Sequence, residues 1–131
     1  MGNSHQIVHA DGAPAAAAAY SHAVAISGSL LFCSGQIPLD PATGELVEGG
    51  VGDQARRCLE NLELVCQAGG TTLANAVRVG VFLTDLSGDF AEMNDAYQRF
   101  FDSDPPARAA VGVAALPRGA RVEIDAIVAL P

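Results

Sequence analysis

Two charged residues near the C-terminal end could do chemistry. Arg108 follows Pro105-Pro106-Ala107 and opens a run of Ala, Val and Gly. A guanidinium among small apolar residues needs either an ion-pair partner or an open cleft. Its planar fork of donors matches a carboxylate at two points. Glu123 lies between Val122 and Ile124. A carboxylate on an inward strand face can serve as a general base or hold a water. Simpler roles remain open at this level. Arg108 could form a structural salt bridge with Glu123 or Asp125, and Glu123 could face solvent. Asp125 shares the face of Glu123, so spacing does not separate the two. Tyr20 and Ser34 add hydroxyls that either line a pocket or close a turn.

Other chemistries find little support. His5, His9 and His22 all fall in the first quarter of the chain. His5 and His9 are four residues apart, but no helical pattern or companion carboxylate surrounds them, so they read as surface or tail residues rather than metal ligands. There is no C-x-x-C, G-x-G-x-x-G or P-loop, and Ser34-Gly35 lacks the G-x-S-x-G elbow of a hydrolase. Lysine is absent, which removes a lysine Schiff base.

The balance of charge narrows the partners. Seven arginines face fifteen carboxylates, for a formal net charge of -8. A basic footprint for nucleic acid is missing, and the same balance disfavours an anionic membrane surface. With 131 residues, half of them hydrophobic, the expectation is one domain, residues 1–131, with a packed core. Cys33, Cys58 and Cys66 are an odd set in apolar or helical surroundings and read as buried free thiols in a reducing compartment. The alanine-rich stretch 14–19 is short and follows no basic residue, unlike a signal or membrane segment. The chain therefore reads as soluble and cytoplasmic.

The elements that must position Arg108 and Glu123 are legible from periodicity. Residues 1–5 read as a loose start, with a short strand near 6–9. Apolar runs at 23–27 and 30–33, joined by Gly28-Ser29, predict a hairpin. The Ser34-Gly35-Gln36-Ile37-Pro38 and Asp40-Pro41-Ala42-Thr43-Gly44 segments predict a loop. Val51, Ala55, Cys58, Leu59, Leu62, Val65 and Cys66 follow helical spacing over 51–68, and Gly69-Gly70 supplies the stop. Val77, Val79, Val81 and Leu83 alternate as a strand. Asp85-Leu86-Ser87-Gly88 predicts a turn. A second helix follows, with Phe90, Met93, Asn94, Tyr97, Phe100 and Phe101 on one face. Strands are predicted at 109–114 and 121–130. The order is that of an α/β (α+β) domain with a sheet of about six strands and two helices on one face. The uncovered, partly polar face then fits subunit contacts or a cleft.

The pattern of these segments resembles the RidA/YjgF reactive-intermediate deaminase family, also called the endoribonuclease L-PSP family. The resemblance spans about residues 13–128. It is carried by Tyr20-Ser21, Cys33-Ser34-Gly35-Gln36-Ile37-Pro38, Asp40-Pro41-x-Thr43-Gly44, Gln54-Ala55-Arg56 through Asn61-Leu62, and Val81-Phe82-Leu83-Thr84-Asp85-Leu86. Met93-Asn94-x-x-Tyr97-x-x-Phe100-Phe101, Pro106-Ala107-Arg108 and Val122-Glu123-Ile124-Asp125-Ala126 complete it.

The resemblance implies a chorismate-mutase-like fold and a homotrimer with clefts between neighbouring subunits. It implies hydrolysis of 2-imino acids or their enamine tautomers, of the 2-iminobutanoate and 2-iminopropanoate type, to 2-keto acids and ammonia, with no cofactor or metal. By the same resemblance Arg108 binds the substrate carboxylate, Glu123 positions or activates water, and Tyr20, Ser34, Gly35 and Ala110 line the pocket. Two positions depart from the common pattern: Ala110 replaces a frequent cysteine, and His22 a frequent glutamine. A trimer that binds small carboxylates without turnover is the alternative, and a ribonuclease fits the charge balance least.

Overall fold

A computed structural model describes residues 4–131; of the predicted loose start, Met1–Asn3 lie outside the described residues. Six strands and two helices appear in the order β1 (Ser4–Val8), β2 (Ala23–Ser27), β3 (Leu30–Gln36), α1 (Val51–Ala68), β4 (Ala76–Leu83), α2 (Leu86–Phe100), β5 (Ala107–Gly112) and β6 (Val122–Ala129). The central sheet has the order β3-β6-β4-β5, with only the β4–β5 pair parallel. That pair is joined through α2, as a parallel connection requires.

Helix α1 forms over the predicted span because its apolar residues recur on one side. Val51, Ala55, Cys58, Leu59, Leu62 and Cys66 are all fully buried. Gly70, at φ +89°, ends it, and Thr71 N–H donates to the Cys66 carbonyl at 2.9 Å. This is the glycine-assisted stop that the sequence signals. The buried residues of α1 and α2 meet Val79, Val81, Val122, Ile124 and Val128 of the sheet in one core cluster. Along β6 burial alternates, with Val122, Ile124, Ala126 and Val128 inside and Glu123, Asp125 and Ile127 half-buried on the other face.

Four expectations are corrected. The six strands form two sheets, since β1 and β2 make a separate antiparallel pair. The Gly28-Ser29 hairpin between β2 and β3 is not formed. Gly28 takes φ +116°, and the Ser29 carbonyl accepts from Leu130 N–H at 3.0 Å, so hydrogen bonding passes to the β3–β6 ladder. Ser34-Gly35 belongs to β3 rather than to a loop. The pairings Cys33↔Ala126 and Gln36↔Ile124 place three steps against two, a bulge that keeps the strand paired. Finally, the 85–88 turn is the first turn of α2. Asp85 caps it, accepting from Gly88 N–H at 3.2 Å.

Candidate active site

Register decides which side chains can meet. Residues directly opposite in a sheet share a face. Arg108 is opposite Val79, which is opposite Ala126, which is opposite Cys33. That row belongs to the helix-covered face. Glu123 is opposite Phe82, and Phe82 is opposite Val111, on the uncovered face. One chain therefore places Arg108 and Glu123 on opposite faces of its own sheet.

Arg108 is the second residue of β5, on the edge strand, so its side chain reaches the rim of the core. Its guanidinium carbon lies 4.6 Å from the Tyr97 ring centroid, 5.6 Å from that of Phe90 and 5.9 Å from that of Tyr20. Ring faces attract a guanidinium, more strongly where water is excluded. Among the described residues Arg108 has no ion pair, and its buried Nη1 has no hydrogen-bond partner. The salt bridge to Glu123 or Asp125 is not formed. Asp125 instead accepts from the Gly80 N–H at 3.0 Å. Burial pulls the Arg108 pKa below its ordinary value, and the neighbouring Tyr97 and Tyr20 partly offset this. Burial likewise raises the Tyr97 phenol. The group that results is a half-buried cation without an ion-pair partner among the described residues.

Tyr20 reaches this place from a connector tied down on both sides. Ser21 Oγ donates to the Pro105 carbonyl, and Ser21 N–H donates to the Pro106 carbonyl at 3.3 Å, which anchors the connector to the segment leading into β5. Ala19 N–H donates to Asn94 Oδ1 of α2 at 3.4 Å. His22 is engaged at both ring nitrogens: Nδ1 accepts from Ala10 N–H at 2.9 Å and Nε2 donates to the Pro14 carbonyl at 2.7 Å. Ala110 shares the face of Arg108, opposite Val81, and packs against the core.

On the other face, Gly35 and Glu123 are in contact. A Cβ at Gly35 would fall 2.9 Å from Glu123 Cδ and overlap a carboxylate oxygen, so glycine leaves the room that the carboxylate occupies. Ser34 is exposed beside it in the bulge. The site residues thus form two groups: Arg108, Tyr20 and Ala110 in one, and Glu123, Gly35 and Ser34 in the other. The sequence did not mark Phe90 and Tyr97 as neighbours of the Arg108 guanidinium. Their helical spacing marked them as core, and only the packing of α2 beside β5 gives them a second role.

The fold is an α+β domain, with one of these two groups on each face of the central sheet. The sequence matches the family described as endoribonuclease L-PSP over residues 10–130. The chain is 54% identical to Protein DfrA of Myxococcus xanthus, covering 95% of each. It is 45% identical to a protein of Bos taurus named 2-iminobutanoate/2-iminopropanoate deaminase, over 93% of this chain and 88% of that one. Among solved structures it is similar to E. coli TdcF with bound serine, with a TM-score of 0.74 and 40% identity, over 96% of this chain and 99% of that one. The chain belongs to the endoribonuclease L-PSP family, the RidA/YjgF family.

Proposed function

We propose that the protein hydrolyses 2-imino acids, or their enamine tautomers, to 2-keto acids and ammonia. The observation that carries this reading is Arg108, an unpaired guanidinium walled by three aromatic rings. It suits the carboxylate of a small 2-imino acid, and the walls suit an apolar side chain. The bovine relative named for this activity, and the amino acid bound in TdcF, support the substrate class. The net charge of -8 and the absence of lysine favour a small carboxylate over RNA.

The reaction asks little of the site. Water oxygen adds to C2 of the imine, the carbon–nitrogen bond of the adduct then breaks, and nitrogen leaves as ammonia. An iminium carbon is already electrophilic, so an oriented substrate and a placed water suffice. In this reading Glu123 accepts the water proton or holds the water, beside Ser34 and Gly35. The opposite faces of Arg108 and Glu123 mean that one copy of the chain cannot bring both to one ligand. A homotrimer with the clefts between subunits would set Glu123 of one copy against Arg108 of the next. We propose that assembly, built from the whole chain as one domain. No described helix is long and apolar enough to cross a membrane. Three buried free thiols support a cytoplasmic setting.

The test is a coupled assay. A threonine dehydratase generates 2-iminobutanoate while semicarbazide traps it. The wild type should suppress semicarbazone formation, and Arg108→Ala should not. The separation of Arg108 and Glu123 within one chain favours a second reading if the chain is monomeric: a carboxylate-binding module without turnover. Binding of 2-oxobutanoate with no change in trapping would establish that reading.

A further inference from the structure

We propose that Tyr97 is a positioning residue for Arg108: its ring is the platform that holds the guanidinium flat and turned toward a ligand carboxylate. The inference rests on the imine-hydrolysis reading and deepens it. Guanidinium groups in proteins are usually oriented by hydrogen bonds to carboxylates or carbonyls. Arg108 has no ion pair among the described residues, and its inner nitrogen is buried without a partner. What remains to orient it is ring faces. Of the three, Tyr97 is nearest, at 4.6 Å, and it alone is fully buried; Phe90 and Tyr20 are half-buried at 5.6 and 5.9 Å.

The platform is itself braced. The Phe101 ring centroid lies 4.8 Å from that of Tyr97, and Phe100 meets Phe101 edge-on at 5.1 Å. Phe101 is buried and closes the end of α2. A fully buried ring packed against its neighbours in this way is held in place by them. Tyr97 therefore fixes the plane of Arg108 before a ligand arrives, which reduces the ordering cost of binding. The ring carries this role. The hydroxyl is buried with no hydrogen-bond partner, so phenylalanine should serve in its place.

The test compares Tyr97→Leu and Tyr97→Met, which remove the ring, with Tyr97→Phe, which keeps it. Folding is checked by thermal melting. Imine hydrolysis is read in the semicarbazide assay as kcat and KM, and 2-oxobutanoate binding by calorimetry. The ring-removing variants should raise KM and the 2-oxobutanoate Kd by about tenfold, the scale of a desolvated cation–π contact, with kcat within about threefold of wild type. Tyr97→Phe should restore both. The Arg108 Nε–Hε resonance gives a readout that needs no ligand: the ring should shift it upfield in wild type and Tyr97→Phe, and most of the shift should be lost in Tyr97→Leu, where only the more distant Phe90 and Tyr20 rings remain. A folded Tyr97→Leu or Tyr97→Met with unchanged Kd and resonance overturns the platform. So does a Tyr97→Phe that loses as much as Tyr97→Leu, because the hydroxyl would then be the active part. If wild type neither binds 2-oxobutanoate nor hydrolyses the imine, the functional reading fails, and the resonance alone still judges the platform.

Discussion

The two faces of the central sheet treat a charged side chain in opposite ways. On the helix-covered face Arg108 is set among rings, half-buried at the rim of the core and short of partners. On the uncovered face Glu123 is half-buried beside a glycine bulge and next to Phe82, with Phe32 71% exposed further along the same face. The covered face prepares its charge by packing within one chain. The open face offers a carboxylate whose surroundings depend on what lies against the sheet. The difference keeps a cation and a carboxylate on opposite faces of one small domain, where they do not neutralise each other.

The largest effect should come from the covered face. Arg108→Ala is expected to lower kcat/KM for 2-iminobutanoate by about a hundredfold or more, the scale of losing one partner of a buried charged pair. The semicarbazide assay measures it, and a loss below about threefold would remove Arg108 from the proposed role.

The open face should respond next. Gly35→Ala pushes a methyl group into the Glu123 carboxylate and should cost about tenfold in kcat/KM, the size of a modest displacement of a water-positioning group. Glu123→Ala combined with Gly35→Ala should be no worse than Glu123→Ala alone, because the clash then has no partner. Additive losses in that cycle would mean that Gly35 acts independently of Glu123.

Stability should move the other way from activity at Arg108. Arg108→Met roughly keeps the length of the side chain and removes an unpaired, half-buried cation, so the melting temperature is expected to rise by a few degrees, equivalent to about 1 kcal/mol or less. A fall measured by calorimetry would show that the aromatic contacts outweigh the desolvation of the charge.

The thiols give a smaller, pH-dependent effect. Burial pushes Cys58 and Cys66 from an ordinary value of 9.0 up to about 12, and the nearby Glu123 charge adds to the rise at Cys58. The folded chain thus keeps protons that the unfolded chain loses. The stabilising contribution is complete below pH 9 and is lost progressively toward pH 12. Denaturant midpoints measured across that range should fall with pH. In Cys58→Ala the fall should be shallower. Below pH 9 these two thiols, and the buried Cys33, should react with a thiol reagent only on unfolding. The smallest effect belongs to the exposed Arg56–Asp53 pair, at 3.5 Å, where Arg56→Ala should change stability by less than about 0.5 kcal/mol in denaturant titration.

Much of the fold was legible in the chain because periodicity records burial. The span of α1, the inward residues of β6 and the buried face of α2 follow from helical and strand spacing, and burial of Leu59, Met93 or Ile124 needs no knowledge of partners. Arg108 was legible too, since a lone cation in an apolar run conflicts with its surroundings. Strand pairing was not. Gly28-Ser29 joins two apolar runs in a way that suits a hairpin, yet β2 pairs with β1, and which partner wins depends on distant residues such as Leu130. The Ser34-Gly35 bulge was hidden for the same reason: glycine marks a break in regularity without saying whether pairing resumes.

By itself, then, the sequence determined the two helices, most of the buried stripes and which charged residues stand in apolar runs. Only the tertiary structure decided that Arg108 and Glu123 occupy opposite faces, and that Phe90 and Tyr97 enclose the guanidinium. The physical reason is that local periodicity sets which side of an element is apolar. Register and helix placement set which side chains meet, and they arise from contacts between residues far apart in the chain.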